Sequence, residues 1–249
     1  PEILNQLQEE GVKVRPGPQA LIHAQNKLTM RKKLAALGLP QPAWREVTSG
    51  ADLQGFINDY GPEVVVKTPI GGYDGKGVRV ISSVTEVSDW LGDLAKFGGS
   101  LLAEEKVGFV SEAAQLIARR PSGESKTWPL VQTIQAGGVC SEVVAPYPSG
   151  SLGKAGAEIA ESIASGLGVT GVLAVEMFVL SDGTLLVNEL AMRPHNSGHF
   201  SIEGSNTSQF EQHLRAVLDL PLGAIGTHRA RRAKAISANP LDDIAGIGA

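Results

Sequence analysis

The stretch VLAVEMFVLSDGTLLVNEL, Val172–Leu190, reads as two β-strands, Val172–Leu180 and Thr184–Leu190, joined at Asp182-Gly183. Asp-Gly between apolar runs is a strong hairpin signal. A two-residue turn pairs Ser181 with Thr184, and a four-residue turn keeps the same register. Either way Glu176 lies directly opposite Glu189. Opposed side chains on one sheet face have Cβ atoms roughly 4.5–5.5 Å apart, and like charges there repel. Both acids sit among apolar neighbours, where unpaired charge is costly. A divalent cation between them removes both problems. Mg²⁺ suits best, with hard oxygen ligands, few protein carboxylates and the remaining positions left to water and phosphate.

The hairpin runs on into NELAMRPHNSGHFS, Asn188–Ser201. His195 and His199 are four apart, as in a helical zinc pair. Pro194, Ser197 and Gly198 disfavour a regular helix there, and no third zinc-type ligand stands nearby. The expectation is a loop leaving a metal-bearing strand.

Upstream lies KTPIGGYDGKGVRV, Lys67–Val80, a glycine-rich connection between the strands Glu63–Pro69 and Val78–Ser82. It is neither a Walker loop nor a dinucleotide fingerprint, since both spacings fail. A strand–glycine loop–strand flap still offers backbone N–H groups to phosphates, with Lys67 and Lys76 supplying charge.

Further strands are expected at Val12–Val14, Ser100–Val107, Glu112–Arg119 and Thr127–Gln135. Helices are expected at Glu2–Glu10, Ala20–Leu37 (with Gly38 as its stop), Val84–Phe97, Lys154–Leu167 and Gln209–Leu218. RARRAK, Arg229–Lys234, reads as a solvated charged face.

Bulk properties narrow the class. The chain has 249 residues, 42% hydrophobic and 19% charged, with net charge -4. An acidic balance argues against a general nucleic-acid binder. One cysteine, Cys140, allows no internal disulfide and fits a reducing, cytoplasmic setting. No apolar run approaches the roughly 20 residues of a membrane span. The start at Pro1, without Met, suggests a processed or excised chain.

GGYDGKG (Gly71–Gly77), NELAMRPHNSGH (Asn188–His199) and TSQFEQHLRAVLDLPLG (Thr207–Gly223) together resemble the ATP-grasp superfamily, and within it the N5-carboxyaminoimidazole ribonucleotide synthetases. The likeness runs from about Val12 to Gly223. It implies an α+β fold in which two lobes with antiparallel sheets clamp ATP. It places residues 1–18 as the end of a Rossmann-like domain, 19–223 as the grasp domain and 224–249 as the start of a shortened C-terminal lobe. The reaction implied is carboxylation of 5-aminoimidazole ribonucleotide with ATP, Mg²⁺ and bicarbonate, through carboxyphosphate, with a homodimer as the candidate assembly.

By the same resemblance, ATP is held by Lys27, Lys67, the loop Gly72, Tyr73, Asp74, Gly75, Lys76 and Gly77, the hinge Glu104, Glu105, Lys106 and Val107, and the ribose acid Glu112. Gln135 stands where the family has a histidine on the phosphate side. Asn188 lies beside Glu189, and the metal acids are Glu176 and Glu189. Arg193 is expected to neutralise charge on the transferring phosphoryl group. His195, with Asn196 and Ser197, offers polar groups to bicarbonate, carboxyphosphate or the aminoimidazole. Tyr73, Asp74 and Lys76 complete the catalytic set on a flap whose closure excludes water. The ribonucleotide phosphate is expected to draw on groups in the flanking domains, so this chain should bind it weakly. The alternatives are another acyl-phosphate ligase of this fold, such as a formate-using purine transformylase, and a nucleotide-binding fragment without turnover.

Overall fold

The computed structural model describes residues 2–72, 77–137 and 139–227, and the backbone alone of 231–234. In chain order the elements are α1 (Glu2–Glu9), α2 (Pro18–Gln25), α3 (Lys27–Ala36), β1 (Trp44–Val47), α4 (Gly50–Tyr60), β2 (Val64–Lys67) and β3 (Val78–Ile81). There follow α5 (Ser88–Gly92), β4 (Leu101–Glu105), β5 (Ser111–Arg119), β6 (Ser125–Thr127), β7 (Val131–Ala136), β8 (Val139–Ala145) and α6 (Leu152–Gly166). The chain continues with β9 (Gly171–Val179), β10 (Leu185–Ala191), α7 (Ser201–Gly204), α8 (Gln209–Val217) and β11 (Arg231–Lys234).

The strands form two antiparallel sheets. The smaller runs β1-β4-β2-β3; the larger runs β10-β9-β5-β7-β8-β11, with β6 also pairing β5. This is the expected α+β arrangement of two sheet-bearing lobes. The smaller sheet has its own core, in which Leu53, Phe56 and Ile57 of α4 meet Val64, Val66 and Leu101. The larger sheet is covered on both faces. Ile159, Ala160 and Ile163 of α6 pack with Met30 and Leu34 of α3 on one side, and Trp128, Phe200 and Ala216 lie on the other. Two covered faces explain why β9 reads as a nearly unbroken apolar run.

Several expectations need correction. Val12–Val14 forms no strand. The single helix expected over Ala20–Leu37 is two helices, because Asn26 is extended and its side chain accepts from Thr29 N, capping α3 afresh. That break places Lys27 in the first turn of α3, with its N–H on the Pro69 carbonyl at 2.9 Å. The helix expected over Val84–Phe97 is α5 between two short 3₁₀ turns, since Ser83 and Glu86 close a capping box on a single turn. Of Thr127–Gln135, only Val131 onward belongs to β7, after Pro129. β1, α4, β6, β8 and α7 are not among the expected elements. The charged segment expected as a solvated face contributes backbone to β11, which pairs with β8.

Candidate active site

The β9–β10 hairpin carries the two opposed glutamates, by a route other than the expected turn. Leu180 N donates to Thr184 O at 2.9 Å and Gly183 N to Leu180 O at 3.0 Å, so the loop holds three residues, with Gly183 at φ +87°. Ser181 and Thr184 are therefore not the closing pair. That loop alone would set Asn188 opposite Glu176. The register holds through Val187↔Met177 and then slips, so that Glu189 faces Glu176. A bulge at Asn188 thus restores the pairing that the simpler turn would have produced.

Three buried or half-buried charges meet behind this bulge. Arg31, fully buried on α3, donates Nε to Glu104 Oε1 at 2.6 Å, Nη1 to Val187 O at 2.6 Å and Nη2 to Asn188 O at 3.0 Å. Lys67 Nζ lies 2.7 Å from Glu104 Oε2 and donates to Asn188 Oδ1 at 3.3 Å. Burial alone would raise the Glu104 carboxyl, but the charges and hydrogen bonds of Lys67 and Arg31 outweigh it and hold the group below its usual range. Lys27 Nζ, four residues before Arg31 on the same helix, sits 3.2 Å from Glu189 Oε1.

On the other side of the glutamate pair, His195 Nε2 lies 2.9 Å from Glu176 Oε1. Ser197 N donates to His195 Nδ1 at 3.3 Å, which leaves the ring proton on Nε2, directed at the carboxylate. His199 points elsewhere: its ring stacks on Phe210 with centroids 5.9 Å apart. The two rings do not converge. Burial, then the neighbouring His195, push the His199 pKa down. Arg193 is exposed and donates to the Pro194 carbonyl at 2.9 Å.

Two cavities meet at the glutamates. One, of about 420 Å³, lies between the sheets and is lined by Lys27, Lys67, Glu104, Glu105, Lys106, Val107, Glu112, Gln135, Glu176, Asn188 and Glu189. Val78, Val80 and Phe178 supply its apolar wall, with Phe109 stacked on Phe178 at 4.7 Å. The other, of about 600 Å³, is lined by Gly72, Arg193 and His195, by Leu4, Val14, Arg15 and Pro16 near the start of the chain, and again by Glu176 and Glu189. Apart from Gly77, Asn196 and Ser197, the sequence-predicted site residues that are described line one or other of these two adjoining cavities. Tyr73, Asp74, Gly75 and Lys76 lie outside the described residues. Gly77 ends the loop with its carbonyl accepting from Thr68 N at 2.9 Å.

The side chains of the strand leaving β4 are already engaged. Glu105 Oε1 accepts from Ala43 N at 2.9 Å and Lys106 Nζ pairs with Glu63 at 2.5 Å. What remains to face the cavity there is backbone and apolar surface.

Glu112 is pushed up by burial and then by Glu176. The Cys140 thiol, on β8, is pushed up to about 11 by burial and by the charges of Glu176 and Glu112.

The ATP-grasp domain family matches residues 32–210. The chain belongs to that family. It is 49% identical over 224 residues to the N5-carboxyaminoimidazole ribonucleotide synthase of Mycobacterium tuberculosis, covering 89% of this chain and 52% of that protein. It is 48% identical over 232 residues to the synthase of Corynebacterium ammoniagenes, covering 91% and 56%. Among solved structures, the Aspergillus clavatus enzyme in complex with ADP and 5-aminoimidazole ribonucleotide superposes with a TM-score of 0.82 at 30% identity, covering 92% of this chain and 61% of the other. An ADP complex of the synthetase gives 0.83 at 34%, covering 92% and 60%. The chain spans about half the length of the curated relatives it matches. The resemblance to this synthase family seen in the motifs thus extends over most of the chain, in sequence and in fold.

Sequence reasoning missed Arg31, Phe109, Phe178 and Gln209. Arg31 lies in KLTMRKKLAA, where it looks like one more surface cation. The signal available was its place four residues after Lys27, on the same face of α3.

Proposed function

We propose that this chain is the ATP-grasp portion of an N5-carboxyaminoimidazole ribonucleotide synthase, a carbon–nitrogen ligase of purine biosynthesis. It uses ATP, Mg²⁺ and bicarbonate to carboxylate 5-aminoimidazole ribonucleotide. The observation that carries the reading is the pair of cavities sharing Glu176 and Glu189 as a common wall. A nucleotide on one side and an acceptor on the other meet at the same two carboxylates.

The donor set fits Mg²⁺: two opposed carboxylates, of which, among the described residues, only Glu189 pairs with a lysine, beside a Glu112 whose ionisation burial and Glu176 disfavour. Bound there, the ion supplies neutralisation of phosphate charge. Lys27 and Lys67 face the same cavity and carry the phosphate contacts. The backbone of Glu105–Val107 and the Phe178 wall receive the base, with Glu104 acting through Lys67 rather than on the base itself. Glu112 takes the ribose, and Gln135 stands near the phosphates. On the acceptor side, His195 directs its Nε2 proton at Glu176, and Arg193 stands exposed at the rim of the cavity.

In the reaction, bicarbonate oxygen attacks the γ-phosphorus, releasing ADP and forming carboxyphosphate. The substrate amine then takes up the CO₂ unit, phosphate leaves and the amine gives up a proton. The protein's part is positioning and charge neutralisation.

Residues 1–18 belong to the end of a preceding domain, which supports the reading of the second cavity because Leu4, Val14, Arg15 and Pro16 line it. Residues 19–223 form the grasp domain and 224–249 begin the C-terminal lobe. A homodimer in the cytoplasm completes the proposal. It is supported by the exposed row Phe210, Leu214 and Leu218 along one side of α8. Among the described residues no helix is long and apolar enough to cross a membrane.

The test is ADP release with and without bicarbonate and 5-aminoimidazole ribonucleotide. Release that needs both supports the reading. Release driven by formate, or nucleotide binding with no turnover, overturns it.

A further inference from the structure

In a regular strand successive carbonyls point to opposite edges. At the β10 bulge, Val187 O and Asn188 O turn to the same side, and one guanidinium receives both, at 2.6 and 3.0 Å. The same group holds Glu104 on β4 of the other sheet. We propose that Arg31 is a positioning residue for the metal carboxylates: it fixes the bulge that sets Glu189 opposite Glu176.

Three observations support this. The register slips at the residues Arg31 grips, between Val187 and Glu189. A planar fork with two parallel donors matches two converging carbonyls, whereas a lysine ammonium offers a single point of charge. The outer edge of β10 is otherwise held at this point by Val187 N on the Pro40 carbonyl at 2.9 Å, so without Arg31 the carbonyls of the buried Val187 and the half-buried Asn188 would lose this partner. Arg31 touches neither cavity. It acts through the backbone, by holding the two glutamate side chains in register.

The proposal rests on reading Glu176 and Glu189 as the metal ligands. The deciding quantity is therefore the factor by which Mg²⁺ strengthens ADP binding, measured by calorimetric titration of this chain with ADP, with and without Mg²⁺. In wild type, no strengthening would sink the metal reading itself. Given strengthening in wild type, Arg31→Lys is expected to reduce that factor by about 10–100-fold, the usual range for residues supporting metal ligands. General loosening of the fold would weaken ADP and Mg·ADP binding alike and leave the factor intact. An intact factor in Arg31→Lys overturns the proposal, whatever the variant's melting temperature.

If Arg31→Lys does not fold, the double variant Arg31→Gln/Glu104→Gln removes both charges together and leaves neither of that pair unpaired. A folded double variant whose factor falls below that of Glu104→Gln alone, which carries the same loss of the Lys67 partner, supports the proposal. One with the wild-type factor, or one that also fails to fold, assigns Arg31 to stability alone and overturns it.

Discussion

Gln209 closes both polar groups of the His195 backbone: its Oε1 accepts from His195 N at 2.8 Å and its Nε2 donates to His195 O at 2.8 Å. Gln209 is fully buried at the first turn of α8, and its own N–H donates to Ser201 Oγ at 2.8 Å. A single side-chain amide thus ties the loop that presents His195 to a helix behind the sheet. Gln209→Leu keeps much of the volume but leaves the half-buried His195 N without its partner, at about 1–3 kcal/mol, while His195 O keeps the Gly198 N–H at 2.9 Å. Urea denaturation should show a loss of about 1–3 kcal/mol, and ADP release should fall more than ADP binding. Wild-type stability in Gln209→Leu would show that water replaces the amide freely.

Gly198 sits under the same amide. A Cβ there would come within 2.3 Å of both Gln209 Oε1 and Leu116 Cδ2. Gly198→Ala should therefore displace the Gln209 amide and lower turnover as Gln209→Leu does. Unchanged turnover in Gly198→Ala would show that the His195 loop tolerates movement.

Glu176 and Glu189 are expected to bind Mg²⁺ with nucleotide. Glu189→Gln removes one of two opposed anions and the half-exposed partner of Lys27. The apo protein should keep its stability within about 0.5 kcal/mol, the usual range for surface changes, while Mg²⁺-dependent ADP release falls by orders of magnitude. A variant that turns over normally would remove Glu189 from the metal site.

Glu104 gives the fold a pH signature. Its folded pKa lies below the ordinary 4.5, so its contribution is present above that value and is lost as pH falls through the lower folded value. Wild type should lose stability steeply on acidification below about pH 4.5. Glu104→Gln should be weaker by about 3–5 kcal/mol at pH 7, because Arg31 is left buried without its counter-ion. It should also show a flatter acid limb. Equal acid limbs in the two proteins would deny Glu104 this part.

Cys140 should be a slow nucleophile. With its pKa raised to about 11, little thiolate exists at neutral pH. As the only cysteine, it gives a clean readout of alkylation by iodoacetamide. The rate should rise tenfold per pH unit until the pH nears that pKa, since only the thiolate reacts. Alkylation at the rate of a free thiol at pH 8 would contradict a thiol held protonated by burial and by Glu176 and Glu112.

The hairpin and its facing glutamates were legible because period-two alternation and Asp-Gly are local signals. The turn length was not. A three-residue loop and a one-residue bulge each shift the register by one, and the two shifts cancel at Glu189. Pattern reading reached the right pair through the wrong turn. Arg31 and Gln209 were invisible for another reason. A buried polar residue is recognised by its partners, and these lie 73 and 156 residues from Arg31. β1 and β8 were missed because these short strands mix polar and apolar residues, as in WREV and VCSEVVA.

The shared wall between the two cavities has a bearing on inhibitor chemistry. A compound built to reach from the inter-sheet space into its neighbour has to pass Glu176 and Glu189, and its midsection there meets two anions. An anionic linker would be repelled at that point, whereas a protonated amine would be welcomed. Joining two weak fragments through such an amine makes the second contact intramolecular, so affinity rises by far more than the linker's own contacts supply. The gatekeeping belongs to two carboxylates on one hairpin.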